Sequence, residues 1–166
     1  MHQVDLYYMD RCLALAERAA ASGEVPVAAI AVSEGRVVGV GINSREAAKD
    51  PTGHAEMDAL RQAAHNLDRW RLTGVTLYVT LEPCPMCAGA LVLGRVDRVV
   101  YATRDPKAGA IDSMYGIGRD AALNHQFEVA EGPRQRRAAE QLSRFFRSRR
   151  RRKGGVETSA AQSGVA

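Results

Sequence analysis

Apolar positions recur along the chain with two periods, and their alternation outlines an α/β domain. Leu6, Met9, Leu13, Ala16 and Ala20 stand three or four residues apart and Ser22-Gly23 ends the run, which predicts an amphipathic helix over 4–21. Val27 to Val32 and Arg36 to Gly41 are short β-branched stretches separated by Ser33-Glu34-Gly35, the pattern of a hairpin. After a Pro51-Thr52-Gly53 turn come a helix over Ala55 to Ala64, a strand over Thr76 to Thr80, a helix over Cys84 to Leu93 and a strand over Val96 to Ala102. Residues 103–126 are rich in Asp, Gly, Lys and Ser and carry no period, and Phe127-Glu128-Val129 adds a short strand. Arg134 to Arg152 predicts a long basic helix anchored by Leu142, Phe145 and Phe146. The small, polar run 154–166 predicts a disordered tail. The order β-β-α-β-α-β behind a leading helix is that of one α/β domain on a mixed sheet, here residues 1–153.

Composition narrows the class. At 166 residues, 46% hydrophobic and 25% charged, the chain has the balance of one globular domain and not of a disordered or collagen-like one. Its longest apolar run is only a few residues, so no membrane span is expected. Met1-His2-Gln3-Val4-Asp5 has no basic region followed by an apolar stretch, which makes a cytoplasmic location the expectation. The net charge of +4 is unevenly placed: 134–153 holds ten basic residues and one acid, Glu140, for a net +9, and the remainder is −5. Such a segment is either a solvated basic tail or a contact for a polyanion, RNA or DNA before an anionic membrane.

Three cysteines, Cys12, Cys84 and Cys87, argue against a disulfide framework. Cys84 and Cys87 form a C-x-x-C pair that reads as a redox dithiol or as metal ligands. At i and i+3 they share a helix face, and at a helix N-terminus the unpaired N–H groups and the dipole favour the thiolate a metal needs. His54-Ala55-Glu56 opens the other predicted helix, so His54 is a candidate third ligand. Two Cys and one His suit zinc and leave a fourth position for water. Glu56, two residues from His54, is then placed to move protons at a water whose pKa zinc lowers from about 15.7 to about 7. H-x-E followed by P-C-x-x-C is the signature of zinc nucleobase deaminases. Composition alone would produce the pair in fewer than about one chain in a thousand of this length.

Beyond that signature, the chain from about Tyr8 to about Arg150 resembles the bacterial tRNA-specific adenosine deaminases. The matching segments are Glu24-Val25-Pro26-Val27, Asn43, Asp50 through Glu56, Thr76 through Cys84, Met86-Cys87-Ala88-Gly89-Ala90, Arg104-Asp105, Lys107, Gly109-Ala110, Asn124-His125 and Phe145-Phe146-Arg147. The resemblance implies a three-layer α/β/α cytidine-deaminase-like fold with a central mixed five-stranded sheet. It implies a homodimer with one zinc per subunit, acting on the tRNA anticodon stem-loop to convert the wobble adenosine to inosine. His54, Cys84 and Cys87 would hold the zinc and Glu56 would shuttle protons. Asn43 would hydrogen-bond the flipped nucleotide, the backbone around Ala55 and Cys84 would meet the reacting end of the purine, and Asp105, Asn124 and His125 would lie near the RNA loop. Phe146 and Arg147 on the basic helix are candidate contacts to a loop base and to phosphate. Two departures stand out: Gly53 occupies a position where close relatives often carry Ala, and Ile111 to Gly118 has no matched counterpart.

Two other functions remain open from the residues themselves. One is a deaminase of a free nucleobase or nucleoside, such as guanine or cytosine, which the basic helix argues against. The other is a non-catalytic RNA-binding module with a closed structural zinc, for which Cys12, His65 and His125 are the available fourth ligands, none at a recognisable spacing.

Overall fold

The hairpin forms as β1 (Ala28–Ser33) and β2 (Arg36–Ile42), closed by Glu34 and Gly35 at φ of +49° and +72°. Left-handed geometry at both loop residues matches the twist of the two strands. This is seen in a computed structural model that describes residues 2–160, with side chains as far as Arg152. The other strands are β3 (Val75–Leu81), β4 (Arg98–Thr103) and β5 (Glu128–Glu131), and the sheet order is β2-β1-β3-β4-β5. β1 runs antiparallel to both neighbours, with Ala29 opposite Gly41 and Val79; β3, β4 and β5 are parallel, with Leu77 beside Val99. The mixed five-stranded sheet expected from the sequence is therefore present.

Helices cover both faces. α1 (Gln3–Ala21) and α5 (Gln135–Ala160) lie on one side, where Met9, Cys12 and Leu13 pack with Ile30, Tyr78, Val100 and Ala138. α3 (Ala55–Asn66) and α4 (Pro85–Leu93) lie on the other, where Ala59, Ala63 and Leu91 pack with Leu77, Val79 and Val99. Double coverage explains why every residue of β1 is buried. Cys12 belongs to the α1 side of this core, donates to Tyr78 O at 3.6 Å, and has its thiol pushed up by burial. A buried ion pair locks α1 to the sheet: Arg98 donates to both Asp5 carboxylate oxygens, at 2.7 and 3.0 Å, and Tyr78 Oη donates to Asp5 at 3.1 Å.

Gly39 and Gly41 let α3 sit directly on β2. A Cβ at Gly39 would stand 2.1 Å from Ala59 O, and one at Gly41 would stand 2.0 Å from Ala55 O. The amino end of α3, where His54 and Glu56 lie, is thus set by backbone-to-backbone approach.

Three boundaries differ from the sequence reading. β4 begins at Arg98, because the expected first residue, Val96, instead donates its N–H to Leu91 O as α4 closes. A four-residue helix, α2 (Arg45–Ala48), was not expected from so short a segment. α5 runs on to Ala160, since Gly154-Gly155 lowers helix propensity without ending the helix, whereas the sequence places the tail from 154. Residues 161–166 of that expected tail lie outside the described residues.

Candidate active site

The carboxyl ends of β2, β3 and β4 and the amino end of β1 share one pole of the sheet, by their pairing. Two helices begin there. His54 is the N-cap of α3 and Cys84 the N-cap of α4, both with extended backbone (φ −94°, ψ 146° and φ −73°, ψ 172°). Neither side chain makes a capping hydrogen bond, and both face across the gap. Pro85 at N1 supplies the fixed φ a helix start needs without losing a required N–H. Cys87 follows one turn later.

His54 Nδ1 lies 3.6 Å from Cys84 Sγ and 3.6 Å from Cys87 Sγ. Tetrahedral zinc at ordinary Zn–S and Zn–N lengths requires ligand separations of about 3.6 to 3.8 Å, so the donor set fits that ion. No fourth His, Cys, Asp or Glu joins the three among the described residues. His125, proposed as a closing ligand, is engaged with Val96 O at 2.7 Å, Cys12 sits across the sheet, and His65 is at the far end of α3. The set has the composition of an open site.

The protonation of the group follows from its contacts. The Cys84 thiol is lowered to about 4, first by a hydrogen bond from Cys87 and then by one from His54. Cys87, the donor of that pair, is raised, and His54 is raised first by its bond to Cys84. Glu56, in the first turn of α3, is buried, and that desolvation pushes its carboxyl up so that it readily holds a proton.

A cavity of about 190 Å³ opens over these residues, lined by His54, Glu56 and Cys84 with Asn43, Arg45 and Asp105. Asn43, Arg45 and Asp105 also line a groove of about 870 Å³ whose other wall is α5, through Phe146, Arg147 and Arg150. The structure thus gathers Asn43, Asp105, Phe146 and Arg147 around one opening, whereas Ala55, the first helical residue after His54, is fully buried and lines neither the cavity nor the groove. The two phenylalanines divide: Phe145 is a buried anchor, and Phe146 is 43% exposed on the groove. Asn124 and His125 do not join this cavity. Asn124 accepts from Arg95 and His125 meets Val96 O, at the start of β4 and about 20 Å along the strand from the site.

The basic helix divides as well. Arg134 and Arg137 pair with Asp10 and Arg144 with Glu17 on α1, and Arg136 pairs with Glu140 within α5, so the first half of the +9 segment is largely neutralised. Arg147 and Arg150, on the groove, have no acidic partner among the described residues, and Arg149 reaches Glu46 only at 3.7 Å.

Two buried carboxylates hold the walls, and sequence reading assigned neither a role. Glu82 accepts from the N–H groups of Asp105, Ile111, Asp112 and Ser113 and from the Ser113 hydroxyl. Burial would raise its carboxyl, but these donors outweigh it and hold the group below the usual range. Glu24 accepts from Asn43 Nδ2 at 3.0 Å and from Ala47 N at 2.7 Å. Their only signal was position, Glu24 before Val25-Pro26 and Glu82 before the P-C-x-x-C segment. Gly53 also gains an explanation, because a Cβ there would press on Ser44 Oγ at 3.1 Å and Asp50 O at 3.2 Å. In the unmatched segment 111–118, Ile111 is core and Ile117 donates its N–H to Ala110 O, while Met114 and Tyr115 are exposed.

The family described as MafB19-like deaminase matches residues 4–150. A tRNA-specific adenosine deaminase of Bacillus subtilis is 42% identical over 95% of this chain and 98% of its own. A solved structure from a study of A-to-I editing by tRNA:A34 deaminases at the wobble position superposes with a TM-score of 0.79 at 38% identity, covering 82% of this chain and 99% of that one. A guanine deaminase from Nitrosomonas europaea is more distant, with a TM-score of 0.71 at 25% identity over 82% of this chain and 81% of that one.

Proposed function

The chain belongs to the tRNA-specific adenosine deaminase family, and from that premise we propose that it converts adenosine to inosine by hydrolysis at the wobble position of a tRNA anticodon. The observation that carries this reading is the meeting of His54 Nδ1 and the two thiols beside buried Glu56, at the floor of a cavity that opens onto an arginine-lined groove. A small neutral nucleobase gains little from such a groove, whereas an anticodon loop has splayed bases for the cavity and phosphates for its rim.

In this reading His54, Cys84 and Cys87 hold zinc. The ion supplies Lewis acidity that makes hydroxide available near neutral pH. Glu56 takes a proton from the attacking water and returns it to N1 of adenine. Oxygen adds at C6, the C6–N6 bond breaks, and ammonia leaves, so one water is consumed per inosine. The backbone at Ala55 and Cys84 orients the reacting edge of the purine. Asn43, Asp105 and Phe146 hold the nucleotide and its neighbours, and Arg147 and Arg150 hold phosphates without reading sequence. Asn124 and His125 can reach RNA only outside this cavity.

A homodimer is part of the proposal. Its support is the outer side of α4, where Leu93 is 70% exposed on a helix with no charged residue. A cytoplasmic location accords with a tRNA substrate, and among the described residues no helix is long and apolar enough to cross a membrane.

The test is inosine formation in a tRNA transcript bearing adenosine at the wobble position. Zinc-loaded protein should produce inosine there alone, and Glu56→Ala should keep fold and zinc while losing about 10²- to 10⁴-fold in rate. Undiminished deamination by Glu56→Ala would remove the proton shuttle from the mechanism.

A further inference from the structure

Glu24 is a carboxylate only 2% exposed, with no arginine, lysine or histidine within ion-pair distance among the described residues. Burying such a group is costly unless its hydrogen bonds are needed where they are. Both its partners face the cavity side: Asn43 Nδ2, and the N–H of Ala47 in α2, the turn that carries Arg45.

An ionised carboxylate only accepts hydrogen bonds, and Nδ2 is the one side-chain atom of asparagine that can donate. Glu24 therefore leaves the Asn43 amide a single orientation. The opposite flip would set Oδ1 against a carboxylate, two acceptors face to face. Asn43 Oδ1 accepts no hydrogen bond from any described residue. Yet among the described residues the only buried side-chain N or O atom without a partner is Gln141 Oε1. Asn43 Oδ1 is thus open to the cavity that the residue lines.

We propose that Glu24 is a positioning residue for deamination: it fixes the Asn43 amide so that Oδ1, with the second Nδ2 hydrogen beside it, meets the flipped nucleotide in one order. This rests on the reading of Asn43 as a nucleotide contact. Glu24→Gln removes the constraint, because a carboxamide can donate as well as accept and so tolerates either flip of Asn43. Through its bond to Ala47, Glu24 also holds α2, so a purely structural role has to be separated from action through Asn43.

A double-mutant cycle separates them. Glu24→Gln should lower kcat/KM for inosine formation by about tenfold to a hundredfold, the range for losing a buried hydrogen bond to a charged group. In an Asn43→Ala background the same change should cost less than about twofold, since no amide remains to orient. Equal losses in both backgrounds, or a Glu24→Gln enzyme indistinguishable from wild type, would overturn the proposal. A second readout needs no turnover. In ¹⁵N-labelled wild-type protein the Asn43 side-chain signals, identified by their absence in Asn43→Ala, should include one proton shifted downfield, and Glu24→Gln should return it to free-carboxamide values. Free-carboxamide shifts in the wild type would refute the constraint even if Glu24→Gln failed to fold. A wild-type protein that makes no inosine but shows the downfield proton would instead sink the functional reading and leave the positioned amide standing.

Discussion

Replacing Arg147 and Arg150 together with alanine should weaken RNA binding in a way that replacing Arg134 and Arg137 does not. The two pairs carry the same formal charge in the same basic segment, Arg134 just before α5 and the others on it. Arg134 and Arg137 are committed to Asp10, at N–O distances of 2.8 and 2.5 Å, whereas Arg147 and Arg150 line the groove without an acidic partner among the described residues. Each phosphate neutralised by a protein cation contributes about 0.7 to the salt slope of log K on a single strand and about 0.9 on a duplex, so losing two contacts should make the slope shallower by about 1.4 to 1.8. Over 50 to 200 mM salt this shrinks the ratio of wild-type to variant affinity by about sevenfold to twelvefold. Fluorescence anisotropy of a labelled anticodon stem-loop, measured in a Glu56→Ala background to prevent turnover, reads the slope directly. The Arg134→Ala/Arg137→Ala protein should keep the wild-type slope within about 0.3, because those cations release few counterions on binding. Equal loss of slope in both double variants would show that ion pairing on α1 does not decide which arginines meet RNA.

Other expectations follow from the packing and the site. Asp5→Asn removes the buried partner of Arg98 but leaves its exposed pair with Glu128 at 2.9 Å, so it should destabilise the fold by about 1.5 to 3 kcal/mol, about 3 °C or more in Tm. Arg98 holds the Asp5 carboxyl below its usual range, so that contribution is full above about pH 4 and is lost as pH falls through the lower folded-state value. Wild type and Asp5→Asn should therefore differ by a constant amount from pH 5 to 8 in denaturant melts and converge in acid; a gap that widens in acid would contradict the pairing. Gly41→Ala places a Cβ 2.0 Å from Ala55 O, so α3 must move. Its overpacking should cost about 1–3 kcal/mol and also weaken zinc retention, read by a chelator competition assay, and unchanged zinc affinity would detach the glycine from the site. Zinc uptake near pH 7 should release at least one proton, since Cys87 and His54 are raised. Calorimetry in buffers of different ionisation heat counts these protons, and a value of zero would show that neither Cys87 nor His54 carries a proton before zinc binds.

What the sequence revealed tracks how locally each feature is encoded. The hairpin, α3 and α4 announce themselves through β-branched runs, Gly and Pro, and His54, Glu56, Cys84 and Cys87 through fixed spacings at two helix starts. Their convergence is expected from the ligand types alone; that both helices begin at the same pole of the sheet emerges only from the strand pairing. The division of α5 into paired and free arginines could not, since it depends on Asp10 and Glu17 more than a hundred residues away. Glu24 and Glu82 were hidden for a related reason: a lone glutamate beside a proline has no period, and its importance lies in partners 19 to 31 residues distant. Asn124 and His125 matched the family by position, yet they sit at the end of β4 away from the cavity.

The polarity of the sheet also bears on how this protein can be engineered. Every group with a chemical role gathers at the pole where β3 and β4 end. The opposite pole carries the Glu34-Gly35 loop and the 67–74 connection, with Trp70 62% exposed. Surface connections accept inserted sequence where their backbone is neither buried nor shared with a core. Leu72 is a core residue whose N–H meets Gly94 O, so a fluorescent reporter or an affinity handle belongs at exposed Trp70-Arg71, where it would ride on the scaffold at a distance from the chemistry. The same insertion between 43 and 53 would part Asn43 from His54.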